Sequence, residues 1–318
     1  MQSAAPKPDW NGPPIHVGVI GGSGLYKLEG IEIIDSVLPE TPWGLPSSPL
    51  SIARTPSGTL VAFLARHGLS HSYSPSGVPA LANIAALKHI GVRVILAFSA
   101  VGSLREEIAP KDFVIASQII DRTKGIRRST YFGEGEEKNV VAHASFGEPF
   151  DVHLRPIVEG IARETLASHN SSVRVHSNKT VVCMEGPAFS TRAESLMYRQ
   201  LGGDIINMSV IPEAKLAREA EMSYVLIATA TDYDAWRESS EAVNVAEVIK
   251  SLQANAAASQ VVTKALVDKV AELVEDDNSK VLTNSDRSMR FSIMTRPENV
   301  DEGVQQRIRY ILPWYGSQ

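Results

Sequence analysis

The sequence has little of what marks disulfide-rich, membrane-spanning or nucleic-acid-binding proteins. Its single cysteine, Cys183, excludes a disulfide framework within the chain and fits a reducing compartment. No apolar run reaches the roughly 18 residues that a membrane-spanning helix needs. A formal net charge of −5 gives no basic surface for general nucleic-acid binding. Any anion-binding site must therefore be local.

What is present is an ordinary globular composition, with 43% hydrophobic and 21% charged residues. The 318 residues suit one large domain or two small ones, and neither an internal repeat nor a clear boundary is visible. We predict a Pro-rich, disordered lead over residues 1–14 and one folded domain over residues 15–318. Polar stretches at about 123–139 and 275–288 are predicted to be loop-like, with little to pack.

Short apolar runs rich in β-branched residues alternate with segments of helical periodicity. This alternation predicts an α/β fold: a single domain with a central mixed, largely parallel β-sheet flanked by helices. The turn-forming residues 55–58 indicate one antiparallel hairpin within it. The predicted strands are 16–20, 31–37, 50–53, 60–65, 92–98, 113–116, 180–184, 204–208 and 224–230, and the predicted helices are 80–90, 152–168, 192–201, 212–220 and 245–274.

The first predicted strand leads into the loop Gly21-Gly22-Ser23-Gly24. Glycine lets backbone amides approach an oxyanion closely, and these amides together with the Ser23 hydroxyl suit a phosphate. The loop lacks the Lys-Ser/Thr of a nucleoside-triphosphate loop and the Gly-x-Gly-x-x-Gly spacing of a dinucleotide-binding loop. Taken alone, it fits either a site for a small phosphate or a tight turn without a ligand.

Polar side chains follow several other predicted strands, at the edge where ligands gather in such sheets. Arg66 and His67 offer two kinds of donor to a tetrahedral anion, although such a pair also fits a surface loop. Ser99 precedes small residues that leave room for a ligand, and Ser209 precedes a predicted helix. Each of these two hydroxyls suits either a helix N-cap or a phosphate contact.

Two carboxylates, Asp232 and Asp234, follow the last predicted strand. In a water-poor pocket one carboxyl group can keep its proton and donate a hydrogen bond while the other accepts one. A helix cap is the alternative role for either aspartate. Phe189 lies two residues after Pro187 and can stack on a planar base, although a single phenylalanine is more often a core residue.

Taken together and in this order, six segments resemble the trimeric purine nucleoside phosphorylase family. The resemblance is strongest to the branch that acts on 5′-methylthioadenosine, and it extends from about residue 16 to residue 295. The segments are Gly21-Gly22-Ser23-Gly24-Leu25, Ala65-Arg66-His67-Gly68, Ala100-Val101-Gly102-Ser103-Leu104-Arg105, residues 185–194 (EGPAFSTRAE), residues 206–213 (INMSVIPE) and Ala230-Thr231-Asp232-Tyr233-Asp234-Ala235-Trp236.

The resemblance implies phosphorolysis of an N-glycosidic bond: phosphate attacks C1′ of methylthioadenosine and releases adenine and 5-methylthioribose-1-phosphate. It implies that a protonated Asp232 is the catalytic donor to N7 of the base and that Asp234 accepts from the 6-amino group. The phosphate-binding residues implied by similarity are Ser23, Arg66, His67, Ser99, Ala100 and Ser209. The implied substrate-binding residues are Phe189, Asn207, Met208, Asp232, Asp234, His143 and Met294.

His143 and Met294 are expected to border the methylthio group from a neighbouring subunit, although a core or surface role fits each as well. The resemblance therefore implies a homotrimer with active sites at subunit interfaces. Its partners are a small-molecule nucleoside and phosphate, with no nucleic acid and no membrane. Phosphate is a co-substrate, and neither a metal nor an organic cofactor is expected. The expected location is the cytoplasm, with the nucleus as a second one.

A 6-oxopurine nucleoside phosphorylase is the alternative enzyme, but members with that specificity carry Asn at the Asp232-like position and Glu at the Ser190-like position. A hydrolytic nucleosidase, a dinucleotide-binding oxidoreductase and a non-catalytic binding protein are less favoured. Three features depart from the family pattern. Serines replace the frequent threonines at 23, 99 and 209, Ala188 replaces a usual arginine, and the loop 123–139 is longer than usual.

Overall fold

The computed structural model describes residues 6–21, 30–133, 140–169, 172–237, 245–254, 256–276 and 278–316. The strands are β1 (Val17–Gly21), β2 (Glu32–Val37), β3 (Leu50–Arg54), β4 (Leu60–Ala65), β5 (Val94–Ser103), β6 (Phe113–Arg122), β7 (Val175–Met184), β8 (Ile205–Asn207) and β9 (Ser223–Asp232). The helices are α1 (Ala80–His89), α2 (Leu154–Ser168), α3 (Arg192–Gln200), α4 (Val210–Glu219), α5 (Val245–Ala254), α6 (Ala256–Leu273), α7 (Lys280–Thr283) and α8 (Glu302–Ile311). Short 3₁₀ turns cover Pro75–Gly77, Asp234–Trp236 and Pro297–Asn299.

The strands form one mixed sheet in the order β2-β3-β4-β1-β5-β8-β7-β6-β9. Strand β5 also pairs with β9, so the last five strands of this order close into a ring. The pairings of β1 with β4 and β5, of β5 with β9, and of β7 with β6 and β8 are parallel. The others are antiparallel, among them the predicted β3–β4 hairpin, whose turn places Gly58 at a φ of 94°. The mixed α/β sheet is confirmed.

Helices cover both faces of the sheet because successive strand residues point to opposite faces. In β1, Ile20 belongs to the buried cluster that includes residues of α1, α4 and α8, whereas its neighbour Val19 belongs to the cluster that includes residues of α2 and α6. Among the described residues, no helix combines the length and the apolar character required to cross a membrane. The helix predicted over residues 245–274 corresponds to α5 and α6, on either side of residue 255, which lies outside the described residues.

Three strands are longer than their apolar runs predicted. Backbone pairing of β5 with β9 continues through Ser99, which is opposite Ala228, to Gly102, which is opposite Asp232. Strands β6 and β7 likewise pair beyond their apolar runs. Hydrogen bonding between strands needs no apolar side chain, so the pattern of hydrophobicity ended before the strands did. Ser99 and Asp232 therefore lie within the ends of strands rather than in loops after them.

Three segments expected to pack little are held against the fold. The stretch 275–288, predicted to be loop-like, contains α7, whose Val281 and Leu282 are buried in the core. In the lead, which was expected to be disordered, the Lys7 amide donates to the Ser36 carbonyl (2.9 Å) and the partly buried Trp10 packs on the core. In the stretch 123–139, Tyr131 and Phe132 are buried, and Glu219 of α4 accepts from the Tyr131 amide (2.7 Å). Residues 1–5 and 134–139 lie outside the described residues. Helix α8, which the sequence analysis did not predict, also packs on the core.

Candidate active site

The predicted phosphate loop and the predicted Arg-His pair begin side by side. Gly21 of β1 is opposite Ala65 of β4, and the Arg66 amide donates to the Gly21 carbonyl (3.1 Å). Ser23 lies outside the described residues. The strand that leads to it nevertheless ends beside Arg66, as expected for parallel strands whose carboxyl ends share one edge.

A cluster that we call the basic end consists of Arg66, His67, Ser99 and Ser209. The hydroxyl oxygens of Ser99 and Ser209 are 3.2 Å apart, although Ser99 lies in β5 and Ser209 immediately precedes α4. Asn207 at the end of β8 donates from Nδ2 to both oxygens, at 3.3 Å each. Ala100 follows Ser99 in β5 and is exposed. Arg66, His67 and Ser209 line one small cavity, together with Met208.

Arg66 is fixed by a carboxylate that the sequence analysis did not single out. Arg66 and Glu213 are 4% and 2% exposed, and the guanidinium binds both carboxylate oxygens, at 2.5 and 3.0 Å. Tyr224 donates its hydroxyl to the same carboxylate (3.0 Å), and Arg66 also donates to the Phe98 carbonyl (2.8 Å). A bidentate pair of this kind fixes the direction of the guanidinium. Apart from belonging to the motif at residues 206–213, Glu213 gave no sequence signal beyond its place at the start of a helix.

His67 is held as a predominantly neutral ring. Burial lowers its pKa, and the positive charge of Arg66 acts in the same direction. Its Nδ1 lies 2.9 Å from the Tyr73 carbonyl, and since a carbonyl only accepts, Nδ1 carries the proton. Nε2 of the neutral ring is then an acceptor, able to receive a hydrogen bond from a phosphate hydroxyl. His71 stacks on His67 with ring centroids 4.5 Å apart.

A second cluster, the acidic end, consists of Asp232, Asp234, Ser190 and Ser195. Burial raises the pKa of both aspartates. Asp232 accepts from the Thr231 hydroxyl (2.7 Å) and from the amide of Asp234 (2.8 Å), the first residue of the short turn at Asp234–Trp236. Oδ2 of Asp234 is buried and has no hydrogen-bond partner among the described residues, although the nearby Ser195 and Ser190 hydroxyls lower the pKa against the effect of burial.

The two ends face each other along β5. Gly102, opposite Asp232, lies three residues beyond Ser99, a separation of about 10 Å at roughly 3.3 Å per residue. A Cβ at Gly102 would come within 3.2 Å of Asp232 Oδ1 and 3.0 Å of Ile206, so glycine allows the carboxylate to lie against the strand. The arrangement can therefore hold an anion at one end and exchange a proton at the other.

Phe189 and Met208 belong to segments that touch. Phe189 is 41% exposed, so it is not a core residue. The segment leading to it passes through Gly186, whose φ of 67° favours glycine. A Cβ at Gly186 would lie 2.3 Å from the Met208 sulfur, which shows how closely the two segments approach.

His143 and Met294 lie on paired surface segments. The His143 amide donates to the Ser292 carbonyl, and the Met294 amide donates to the Val141 carbonyl, both at 2.8 Å. His143 is exposed and Met294 is 70% exposed. The structure therefore brings these two residues onto one surface strip. Both side chains are open to solvent, so neither has the core role left open by the sequence.

In the part of the chain that the structure describes, no group of three or more His, Cys, Asp or Glu side chains could hold a metal ion.

A sequence model of the phosphorylase superfamily matches residues 16–268. The chain belongs to the phosphorylase superfamily.

Individual relatives confirm the branch predicted from the motifs. The chain is 62% identical over 306 residues to the S-methyl-5′-thioadenosine phosphorylase of Mycosarcoma maydis, with 96% of each chain covered. It is similar to the structure of a methylthioadenosine phosphorylase sourced from an antarctic soil metagenomic library, with a TM-score of 0.84, 40% identity, and 94% of this chain and 99% of that chain covered. A variant of the adenosine/methylthioadenosine phosphorylase of Schistosoma mansoni, in complex with methylthioadenosine, has a TM-score of 0.77 at 30% identity, with 90% and 100% covered.

Proposed function

We propose that this chain catalyses the phosphorolysis of S-methyl-5′-thioadenosine to adenine and 5-methylthioribose-1-phosphate. The observation that carries the proposal is the pair formed by the partly buried Asp232 and the buried Asp234. Both have raised pKa values and lie on the same strand edge as the donor groups of the basic end. The phosphorylase superfamily and the named relatives support the same reaction.

Phosphate is proposed to bind at the basic end. Arg66 supplies a positive charge whose direction Glu213 fixes, and the hydroxyls of Ser99 and Ser209 supply neutral donors. Neutral His67 is proposed to accept a hydrogen bond at Nε2 from a phosphate hydroxyl and so to orient the phosphate. Ser23 and the Ala100 amide, both inferred from the family motifs, complete the proposed phosphate site.

Bond cleavage develops positive charge on the sugar and negative charge on adenine. A phosphate oxygen forms the new bond to C1′ as the bond from C1′ to N9 breaks, and the anionic phosphate stabilises the sugar cation. The proton of Asp232 is proposed to pass to N7, so that adenine leaves as a neutral base. Asp234 is proposed to accept a hydrogen bond from the 6-amino group through its unpartnered Oδ2.

The remaining proposed substrate contacts are those that the family motifs indicate. Phe189, which is 41% exposed, is proposed to stack on the base, with the buried Asn207 beside the base pocket, and Met208 is proposed to contact the ribose. His143 and Met294 are proposed to border the methylthio group of a neighbouring subunit in a homotrimer. Their exposure on one strip, next to the 93% exposed Phe291, supports this role.

The carboxylate at Asp232 also favours an amino-purine over a 6-oxopurine substrate. A carboxyl group can transfer its proton to the base, whereas the amide of the 6-oxopurine enzymes can only share one. The similarity to enzymes named for methylthioadenosine supports the same choice. We further propose that the reaction uses no metal or organic cofactor and that the protein acts in the cytoplasm. A nuclear location remains a prediction from the sequence.

The deciding experiment measures adenine release from methylthioadenosine with and without inorganic phosphate, with inosine as a competing substrate. We expect release that requires phosphate and a large preference for methylthioadenosine. Release without phosphate would indicate a nucleosidase. A preference for inosine would indicate the 6-oxopurine alternative. Either result would overturn the proposal.

A further inference from the structure

The stretch 123–139, expected to be solvated, contains a deeply buried arginine. Arg127 is 7% exposed, whereas its neighbour Arg128 is exposed. We propose that Arg127 is a positioning residue that ties the base-binding segment 184–189 to the phosphate-binding segment 208–211, so that both substrates are held in mutual alignment. This inference rests on the proposed function.

Every donor of the Arg127 guanidinium has an acceptor. Nε donates to the Glu185 carboxylate (2.8 Å). Nη1 donates to the carbonyls of Met208 and, at 2.9 Å, Ile211. Nη2 donates to the carbonyls of Glu185 and, at 3.4 Å, Met184. A guanidinium has five N–H groups, and these contacts use all of them. Arg127 borders the cavity of the basic end but has no donor left for phosphate, so it acts through the segments that it holds.

The acceptors of Arg127 lie on both sides of the proposed site. The carbonyls of Met208 and Ile211 flank Ser209, whose hydroxyl belongs to the basic end. The carbonyl of Glu185 immediately precedes Gly186, on the way to Phe189. One planar group therefore fixes the spacing between the segment that presents the phosphate donor and the segment that presents the aromatic ring.

Glu185 completes the connection and balances the charge. It is buried, and besides Arg127 it accepts from the Ser76 hydroxyl and from the Lys124 amide (2.8 Å). Burial acts to raise its pKa, but these donors outweigh burial and keep it low, so the pair is ionic. Replacing a buried ion pair by apolar side chains is often neutral for stability. Its presence between two substrate segments therefore points to alignment rather than to stability.

The test compares Arg127→Lys with the neighbouring control Arg128→Lys. Lysine keeps the charge but has only three donors and no planar fork, so it cannot reach all five acceptors. We expect Arg127→Lys to raise KM for phosphate and KM for methylthioadenosine together, each by about tenfold, because hydrogen bonds of a charged group are lost on both segments. Arg128→Lys should leave both constants within about twofold of the wild type, since surface substitutions have small effects.

Hydrogen exchange separates alignment from general destabilisation. In Arg127→Lys, we expect faster amide exchange in peptides covering residues 184–189 and 208–211, with unchanged exchange in α2. An unchanged pair of KM values in a folded variant would overturn the proposal. So would a rise in only one of them, because that result would show that the two segments are not coupled through Arg127.

If Arg127→Lys does not fold, Glu185→Gln gives the same test. This substitution keeps the carbonyl contact and an acceptor on the side chain but removes the negative charge that fixes Arg127. We expect the same joint rise in the two KM values, smaller than for Arg127→Lys, and constants equal to those of the wild type would overturn the proposal. Failure of the proposed function is seen separately, as wild-type protein that shows no phosphate-dependent release of adenine.

Discussion

The basic end and the acidic end of the candidate site differ in whether their ionisable side chains have partners of opposite charge. At the basic end, Arg66 is paired with Glu213 through both carboxylate oxygens, and Tyr224 donates to the same group. At the acidic end, neither Asp232 nor Asp234 makes an ion pair within the described residues, and burial raises both pKa values. The positive charge of the basic end is therefore balanced by a carboxylate, whereas the carboxyl groups of the acidic end tend to keep their protons.

This difference separates binding from proton transfer. A compensated cation has a fixed direction and a fixed charge over the physiological range, which suits a group that must hold an anion without changing state. An uncompensated buried carboxyl group is costly to ionise, which suits a group that must arrive protonated and give up its proton during the reaction. The predictions below test whether the two ends differ in this way.

The largest effect is expected from Asp232→Asn. Asparagine keeps a hydrogen-bond donor but has no acidic proton to transfer, so kcat for methylthioadenosine should fall by about 10²–10³-fold. The measurement is adenine release at saturating phosphate. KM for phosphate should stay close to that of the wild type, because the basic end is unchanged. Unaltered turnover would show that Asp232 does not protonate the base.

The pH dependence of the same pair of proteins tests the proton itself. The acid must be protonated, so wild-type kcat should decrease as pH rises through the raised pKa of Asp232. Asp232→Asn should lack this decrease. A decrease that persisted in the variant would assign the titration to another group.

The second largest effect is expected from Glu213→Gln, measured as the free energy of unfolding in urea. Removing the negative charge leaves the buried Arg66 cation unpaired, which should lower the free energy of unfolding by about 3 kcal/mol. The matched control is Glu159→Gln, which removes an exposed pair with Arg163 (2.9 Å) within α2 and should cost under about 0.5 kcal/mol. Equal losses in the two variants would show that the charge of Arg66 is not compensated as the geometry indicates.

The sequence was sufficient to single out polar residues at the ends of strands as site candidates. It did not show which other residues fix the positions of those candidates. Ser99, Ser209 and Asp232 were identifiable because polar residues directly after apolar runs share one edge of an α/β sheet. Glu213 is separated from Arg66 by 147 positions, so no local pattern connects them. Arg127 lies among charged neighbours, and the composition of that segment does not show that its side chain is buried. The same residue types form buried and solvent-exposed ion pairs, so only tertiary packing distinguishes the two.

A smaller effect is expected at the hydroxyl groups of the basic end. Ser209→Ala removes one neutral donor to phosphate and should raise KM for phosphate about tenfold, with a smaller change in KM for methylthioadenosine. Ser209→Thr keeps the hydroxyl and should remain within about threefold of the wild type. The measurement is initial rate against phosphate concentration at saturating nucleoside. If the two variants were equally impaired, the shape of the side chain rather than its hydroxyl would matter.

The smallest effect is expected in the free energy of unfolding of Asp234→Asn, measured across pH. Its direction is distinctive, because the substitution is expected to stabilise the protein as pH rises. Burial raises the pKa of Asp234 above its ordinary value of 3.8, so the folded state holds this proton more tightly than the unfolded state. Wild-type stability therefore decreases as pH rises from about 4 through the raised pKa and is constant above it. Asparagine tolerates the left-handed backbone at φ 48° and has no charge to bury, so the variant should become the more stable protein as pH rises.

Asp121→Asn provides the opposite case. Although burial acts to raise its pKa, hydrogen bonds from Lys215 and Thr123 outweigh it and lower the pKa of Asp121. Its charged form therefore stabilises the fold above the ordinary pKa, and that contribution is lost as pH falls. Replacing Asp121 should reduce the thermal stability at pH 7, whereas replacing Asp234 should increase it. If both substitutions shifted Tm in the same direction, the acidic end would not be the uncompensated site that its geometry indicates.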